Sequence, residues 1–287
     1  MRVRPAAVLK YAFLVLAVVP MLFPFIWMVL TSLKPFGEVF SLDLLPSRPT
    51  LDNYVALFSR TMFPRWFFNS LLVGGLTVAS VLFFDSLVGY TLAKLPFPGK
   101  NVVFVLILST MFVPTEMLVL PWYQMSADYG WLDTYWGILF PGIMTAFGVF
   151  LMRQAFSTLP DELLDAGRID GLSEFGLYWR IALPLVKPSL AALAILTFIG
   201  NWNAYLWPLI VAESRQMYTL PVGLSLFSGE VGAQWNMITA GSAVAVIPMM
   251  IVFAIFQRQI IEGVVRSGRR WTALLDCPAR LPRWGAS

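Results

Sequence analysis

Six stretches of this chain are apolar over the length of about 20 residues that a bilayer-spanning helix needs. They run approximately 11–33, 67–92, 101–121, 135–157, 188–211 and 237–260, with more polar segments between them. The pattern predicts an all-α integral membrane protein with six transmembrane helices. The first stretch is too long for a signal peptide, is broken by Pro20 and Pro24, and lacks a small-x-small cleavage pattern before Lys34. It therefore reads as a retained span.

Composition fits that pattern. Hydrophobic residues make up 58% of the 287 and charged ones 13%, with a mean hydropathy of +0.73. A soluble domain would carry roughly 25% charged residues. With no His, imidazole is excluded as base or metal ligand, and a lone cysteine, Cys277, excludes an intramolecular disulfide or a multi-cysteine metal site. No Gly-x-x-x-x-Gly-Lys-Ser/Thr loop is present, and "FPGK" at 97–100 is only superficially like one. The expectation is a protein that is not itself an enzyme and holds no cofactor, no metal and no nucleic acid.

The net charge is only +4, so the position of each charge matters more than the sum. The N-tail, the 93–100 loop, the 153–187 loop and the tail after 257 hold three, two, four and six basic residues, fifteen in all. The alternate segments 34–66, 122–134 and 212–236 hold five. The positive-inside rule then places both termini in the cytoplasm. Trp66, Trp122, Tyr123, Trp131, Tyr135, Trp136, Tyr218 and Trp235 fall in or beside the outward segments, as an interfacial aromatic belt would.

One segment departs from the apolar background. "DELLDAGRIDG", 161–171, holds four of the sixteen acids: Asp161, Glu162, Asp165 and Asp170. It lies between the fourth and fifth spans, on the side assigned to the cytoplasm. Pro160 suits the first turn of a helix, and Asp161 and Glu162 suit its positive end. Gly171 is suited to stop the helix in a left-handed conformation, and Ser173 to cap a second helix running into "EFGLYWRIAL". On a 100° wheel Leu163, Ala166, Gly167 and Asp170 share one side, while Asp161, Asp165 and Arg168 cluster opposite. Asp165 and Arg168 are spaced to pair. The small side, Ala166–Gly167, would admit close approach by another protein; the alternative is an amphipathic helix lying on its own bundle.

The stretch "DAGRIDGLSEFGLYWRIALP", 165–184, resembles the EAA loop of ATP-binding-cassette importer permeases, with Gly171, Ile181, Leu183 and Pro184 at the signature spacing. "TSLKP" (31–35), "GYTLAKLPFPGK" (89–100), "LPDELLDAGRIDG" (159–171), "LPLVKPSL" (183–190), "NWNAYLWPL" (201–209) and "TLPVGL" (219–224) are similar to the maltose-type carbohydrate permeases. The resemblance covers about residues 10–265. The Glu-Ala-Ala triplet is Asp165-Ala166-Gly167 here, the acid that often follows Trp-Asn is Ala204, and the usual short ending is replaced by "GVVRSG" (263–268) and a tail. The resemblance implies a permease domain over 1–268, in the inner membrane of a bacterium or archaeon. The tail beyond it, 269–287, is basic, has two prolines and shows no sustained period, and reads as a loosely held cytoplasmic extension. It implies a second, different permease subunit, two copies of a cytoplasmic ABC ATPase, an extracytoplasmic solute-binding protein and a carbohydrate solute, all in membrane lipid. The 159–187 loop would be the coupling helix seated in the ATPase, carried by Asp165, Ala166, Gly167, Asp170, Gly171, Ile181, Leu183 and Pro184.

Other candidates stand beside the loop. Asp85 is an acid inside the second span, expensive in a membrane and a candidate functional site for that reason. It either bonds a polar neighbour such as Ser86 or Thr91, reaches a watery cavity, or belongs to the pathway. Glu116 follows Pro114 near the outer end of the third span and reads as a vestibule or packing residue. Asn201, Trp202, Asn203 and Tyr205 combine flat aromatic faces with amides, as sugar sites do, and form the candidate solute pathway; Asn201 and Tyr205, at i, i+4, would share a side. The rival classes are a stand-alone secondary transporter or channel, which expects paired intramembrane charges or repeated broken helices, and a membrane-embedded enzyme.

The orientation has a direct test. Cysteines placed at Asp128 and Gly229 should react with an impermeant thiol reagent added outside, and one at Glu174 should not. Outside labelling at Glu174 would reverse the topology.

Overall fold

The computed structural model describes residues 5–229 and 233–275, with side chains described from Phe13 to Ile255 apart from Val15. Helices form nearly all the regular structure, and no strand occurs among the described residues. The chain divides into two compact units. The first comprises Met1–Gly75, Leu118–Phe140 and Gly200–Met250; the second comprises Leu76–Met117, Pro141–Ile199 and Ile251–Ser287.

The predicted spans appear as helices, though most are not continuous. Helix α1, Pro5–Ser32, runs through both Pro20 and Pro24 and so corrects the expectation that they break it. The two prolines are four residues apart and share one face, and prolines are tolerated within membrane helices. A short helix α2, Asp52–Arg60, precedes the 32-residue α3, Phe63–Lys94. Among the described residues, α3 and Trp235–Ile255 are the two unbroken helices long and apolar enough to cross a membrane; the number rises to five if each bent pair counts as one span. The described apolar part of α1, Leu16–Ser32, is shorter than that test requires.

The breaks have local causes. The third predicted span divides into α4, Lys100–Ser109 with one 3-10 turn, and α5, Thr115–Asp128. Pro114 drives the preceding Val113 into an extended conformation, φ −82° and ψ 115°. The fourth divides into α6, Tyr135–Leu139, and α7, Ala146–Ser157, with Thr145 extended as the N-cap of α7. After helices α8, Asp161–Ile169, and α9, Glu174–Leu177, a π-turn over Tyr178–Ala182 leads into α10, Leu183–Leu185. Pro184 lacks the N–H that an α-turn would use and would press on the Arg180 carbonyl, and the wider turn just before it relieves that clash. An 82° bend follows before α11, Lys187–Trp202. The fifth predicted span, 188–211, is thus α11 and α12, Leu206–Val211, separated at 203–205. The last helices are α13, Leu220–Ser225, and α14, Trp235–Leu275. Helix α14 continues past Gly268 to Leu275, so the first residues of the proposed extension are helical; residues 276–287 lie outside the described residues.

In the first unit, polar side chains tie the loops to the helices. Asn53 donates to the carbonyls of Ser32 (2.8 Å) and Lys34 (2.9 Å) and accepts from Asn236 (3.1 Å). Asn69 donates to the carbonyls of Gln216 (2.8 Å) and Tyr218 (2.9 Å) and accepts from the Tyr135 hydroxyl (2.7 Å). Asp133, in the left-handed region at φ 55°, accepts from the N–H groups of Glu213 and Ser214 through one carboxylate oxygen.

The second unit is built where α3 meets α7. Gly89 lies so close that an added Cβ would stand 2.7 Å from Met152 Cβ and 2.8 Å from the Arg153 nitrogen. This contact seats a core of Val81, Tyr90, Met152, Phe156, Leu164, Leu177 and Tyr178. Phe156 and Tyr178 each lie 5.4 Å from the Tyr90 ring. The core places the 159–187 loop directly on the end of α3.

Candidate functional site

The 159–187 loop is two short helices joined by a glycine turn. Pro160 is the N-cap of α8, one position before the first-turn place predicted for it, and Asp161 and Glu162 occupy the first turn. Gly171 has φ +83° and ends α8. The Leu172 N–H reaches the Gly167 carbonyl and the Gly171 N–H the Arg168 carbonyl, both at 3.0 Å, which together form a Schellman motif. Ser173 caps α9 by accepting the Gly176 N–H at 3.2 Å. The turn and both helices match the sequence reading.

The orientation of α8 does not. Leu164 and Gly167 are its buried residues, and an added Cβ at Gly167 would meet Leu177 Cδ2 at 2.5 Å and Ile181 Cδ1 at 2.7 Å. Gly167 therefore gives close approach to this chain's own helix, which corrects its place on a partner-facing surface. Ala166 stays exposed, with Leu163 at 45% and Ile169 at 87% exposure beside it. These three, at i, i+3 and i+6, form an apolar ridge. Side-chain size and charge alone do not point to Ile169; the i, i+3 pair Leu164–Gly167 is the sequence signal for the buried face.

Ion pairs lock the loop to its seat. Lys94, at the end of α3, donates to Asp161 (2.6 Å) and to the Leu159 carbonyl (2.5 Å). Arg168 binds Asp165 through Nη1 (2.7 Å) and both oxygens of Glu174, at 2.8 and 3.3 Å, so it bridges the two helices across the turn. The hydrogen bond from Lys94 holds the Asp161 carboxyl below its ordinary range, and that from Arg168 does the same for Glu174. The two carboxylates in turn raise the Arg168 guanidinium. Of the remaining loop candidates, Asp170 is exposed, Ile181 packs half-buried on Gly167, and Leu183 and Pro184 form the helix after the π-turn. Glu174, Lys94 and Leu164 are parts of the site that the sequence reading did not single out. The exposed aromatic pair Phe175 and Trp179, stacked with centroids 6.4 Å apart, borders the turn.

The comparisons with known proteins bear on the same segment. Residues 85–266 match the family described as binding-protein-dependent transport system inner membrane component. The chain belongs to that family. This permease is 41% identical over 252 residues to the arabinooligosaccharides transport system permease protein AraQ of Bacillus subtilis, covering 86% of this chain and 90% of that one. It is 31% identical to the lactose transport system permease protein LacG of Rhizobium radiobacter, over 93% of this chain and 98% of that one. It is 38% identical to the sn-glycerol-3-phosphate transport system permease protein UgpE of Yersinia enterocolitica, over 70% and 72%. Its fold is that of a chain in the crystal structure of a bacterial ABC transporter involved in the import of the acidic polysaccharide alginate, with TM-score 0.79 and 24% identity over 88% of this chain and 95% of that one.

The other candidates are scattered through the permease. Asp85 is fully buried and accepts both the Thr145 N–H (3.0 Å) and the Thr145 hydroxyl (2.7 Å), while Gly148 leaves room for its carboxylate. It bonds a polar neighbour, as one reading had it, but the neighbour is sixty residues away rather than Ser86 or Thr91. Ser86 bonds the Tyr178 hydroxyl at 2.7 Å instead. Glu116 is exposed in the first turn of α5. Trp202 is 3% exposed, donates to the Ala245 carbonyl (3.1 Å) and packs edge-on against Phe67, so it is a core residue. Because α11 ends at Trp202, Asn201 and Tyr205 do not share a helical face; Asn203 and Tyr205 are exposed in the break.

The ion pairs predict a pH response. A carboxylate whose folded pKa is depressed contributes stability above its unfolded value, and the contribution is lost as pH falls through the folded one. Protection of 161–174 backbone amides against hydrogen exchange should therefore hold from pH 7 to about 5, then fall below the ordinary carboxylate range. In Arg168→Ala the Glu174 carboxyl should titrate closer to its ordinary 4.5. Unchanged protection and titration in that variant would show that the bridge does not hold the loop.

Proposed function

We propose that this chain is one of two permease subunits in an ATP-driven importer, paired with a different permease and coupled through the 159–187 loop to a cytoplasmic ABC ATPase. ATP hydrolysis belongs to that separate subunit. The solute is a carbohydrate or related polyol, delivered by an extracytoplasmic binding protein; relatives named for arabinooligosaccharide and lactose transport support this class. Both termini lie in the cytoplasm, by the distribution of basic residues.

The observation that carries the coupling role is the exposed apolar ridge Leu163–Ala166–Ile169 on a loop otherwise fixed to its own subunit. Ile169, the last residue of α8, is 87% exposed, where an unpartnered apolar side chain gains nothing from water. Asp165 and Asp170 flank the ridge and would set register and partner choice. Broken spans are also what a stand-alone secondary transporter would show, but family membership decides for the importer.

Burial of one such side chain is worth roughly 1.5–3 kcal/mol, and each 1.4 kcal/mol is about tenfold in affinity. Ile169→Asp should thus lose at least about tenfold in ATPase association and solute-stimulated ATP hydrolysis, while inserting normally. Glu162→Gln, outside the ridge, should do much less. Gly167→Trp would disturb this chain's own core and is not a clean probe of docking. Normal coupling in Ile169→Asp would contradict the proposed docking face.

A further inference from the structure

Of the five basic residues in the segments assigned to the outer side, three gather at one place in the first unit. An open pocket of about 600 Å³ is lined by Arg60, Thr61, Trp66, Arg215 and Gln234, among others. Arg65 lies one residue from Trp66 and donates to the Gln216 carbonyl at 3.4 Å. Lys34, by contrast, is buried on the carbonyls of Ser41 and Asp43.

The wall is built rather than draped. Trp66 is 3% exposed, and its Nε1 donates to the Arg215 carbonyl at 2.7 Å. Asn69 holds the next carbonyl, Gln216, at 2.8 Å. Gly223 lies flat on the Trp66 ring, where a Cβ would collide with it. The Gln234 N–H is fixed to the Phe227 carbonyl at 2.8 Å. The backbone carrying Arg215 is therefore held by Trp66 and Asn69 of α3, while Arg60 is the last residue of α2.

Among the described residues, no carboxylate forms an ion pair with Arg60, Arg65 or Arg215. Arg60 and Arg215 bring two positive charges to one pocket. A bound anion would offset their mutual repulsion and use the planar donor forks that suit carboxylate and phosphate. The concave wall raises the local concentration of anions. Thr61 and Gln234 add neutral polar residues to the lining, and the buried Trp66 backs it.

We propose that this pocket is an anion-binding site that takes a carboxylate or phosphate group carried by the incoming solute. The assignment of the solute as the source rests on the importer reading and its orientation. The pocket would discriminate acidic from neutral sugars at the outer face, before any step coupled to ATP. An anionic lipid headgroup offers the same chemistry from the bilayer, and the test separates the two.

The full chain, assembled with its partner permease and ATPases, is placed in lipid discs of phosphatidylcholine alone. Inorganic phosphate and galacturonate are titrated calorimetrically, with galactose as the neutral comparison. Both anions should bind saturably, galactose at least tenfold more weakly, and added salt should weaken anion binding. Arg60→Gln with Arg215→Gln should reduce anion affinity at least tenfold, whereas Arg60→Lys with Arg215→Lys should hold it within about threefold, which separates lost charge from misfolding. No anion binding, equal binding of galactose, or an unchanged double Gln variant would overturn the site. Phosphate displaced by phosphatidylglycerol, with no galacturonate binding, would assign the pocket to a lipid headgroup and overturn the solute source. Glu230 lies outside the described residues; tenfold tighter binding in Glu230→Gln would show the chain's own acid filling the pocket and overturn an external ligand. Association of the wild-type chain with its ATPase, read on the same preparation, tests the importer reading independently.

Discussion

The seat of α8 depends on the missing side chain at Gly167. Leu177 and Ile181 occupy the space where a Cβ would be, so α8 lies directly on the helix that follows it. That contact decides which face of α8 is buried and which is left over. With Leu164 and Gly167 turned inward, Leu163, Ala166 and Ile169 must point away. The same seating brings Arg168 within reach of Glu174 and Asp161 within reach of Lys94. The exposed ridge is thus a consequence of internal packing.

From that seat, a continuous set of contacts leads along α3. Lys94 holds the start of α8, Tyr90 packs against Phe156 and Tyr178, Gly89 admits Met152, Ser86 bonds Tyr178, and Asp85 fastens Thr145 at the start of α7. These residues recur about once per turn, at 85/86, 89/90 and 94, along one half of the helix. A load applied to the loop would therefore pass to α3 and α7 together, as coupling to a separate motor requires. The contacts are the physical path; their energetic coupling is a separate quantity.

The sequence carried much of this. Hydrophobic length located the helices, and Pro160, Gly171 and Ser173 marked the loop's helices and turn because each has a specific backbone role. The break at Val113 is harder to read, since the apolar run 101–121 passes through it and only Pro114 hints at it. The partner of Asp85 was invisible because Thr145 is sixty residues away. Trp202 looked like a sugar platform by residue type, yet its indole is spent on the Ala245 carbonyl and Phe67. The buried face of α8 is hidden for a related reason: a small residue signals close approach but not by what.

Photocrosslinking tests the central claim most directly. A photoreactive amino acid would be placed singly at Ile169, Ala166 and Leu164 in the assembled transporter, and the crosslinked products identified. The account predicts adducts with the ATPase from 169 and 166, and none from the buried 164. ATPase adducts from 164 with none from 169 would show that α8 presents its opposite face, and the seat described here could not be the one used in coupling.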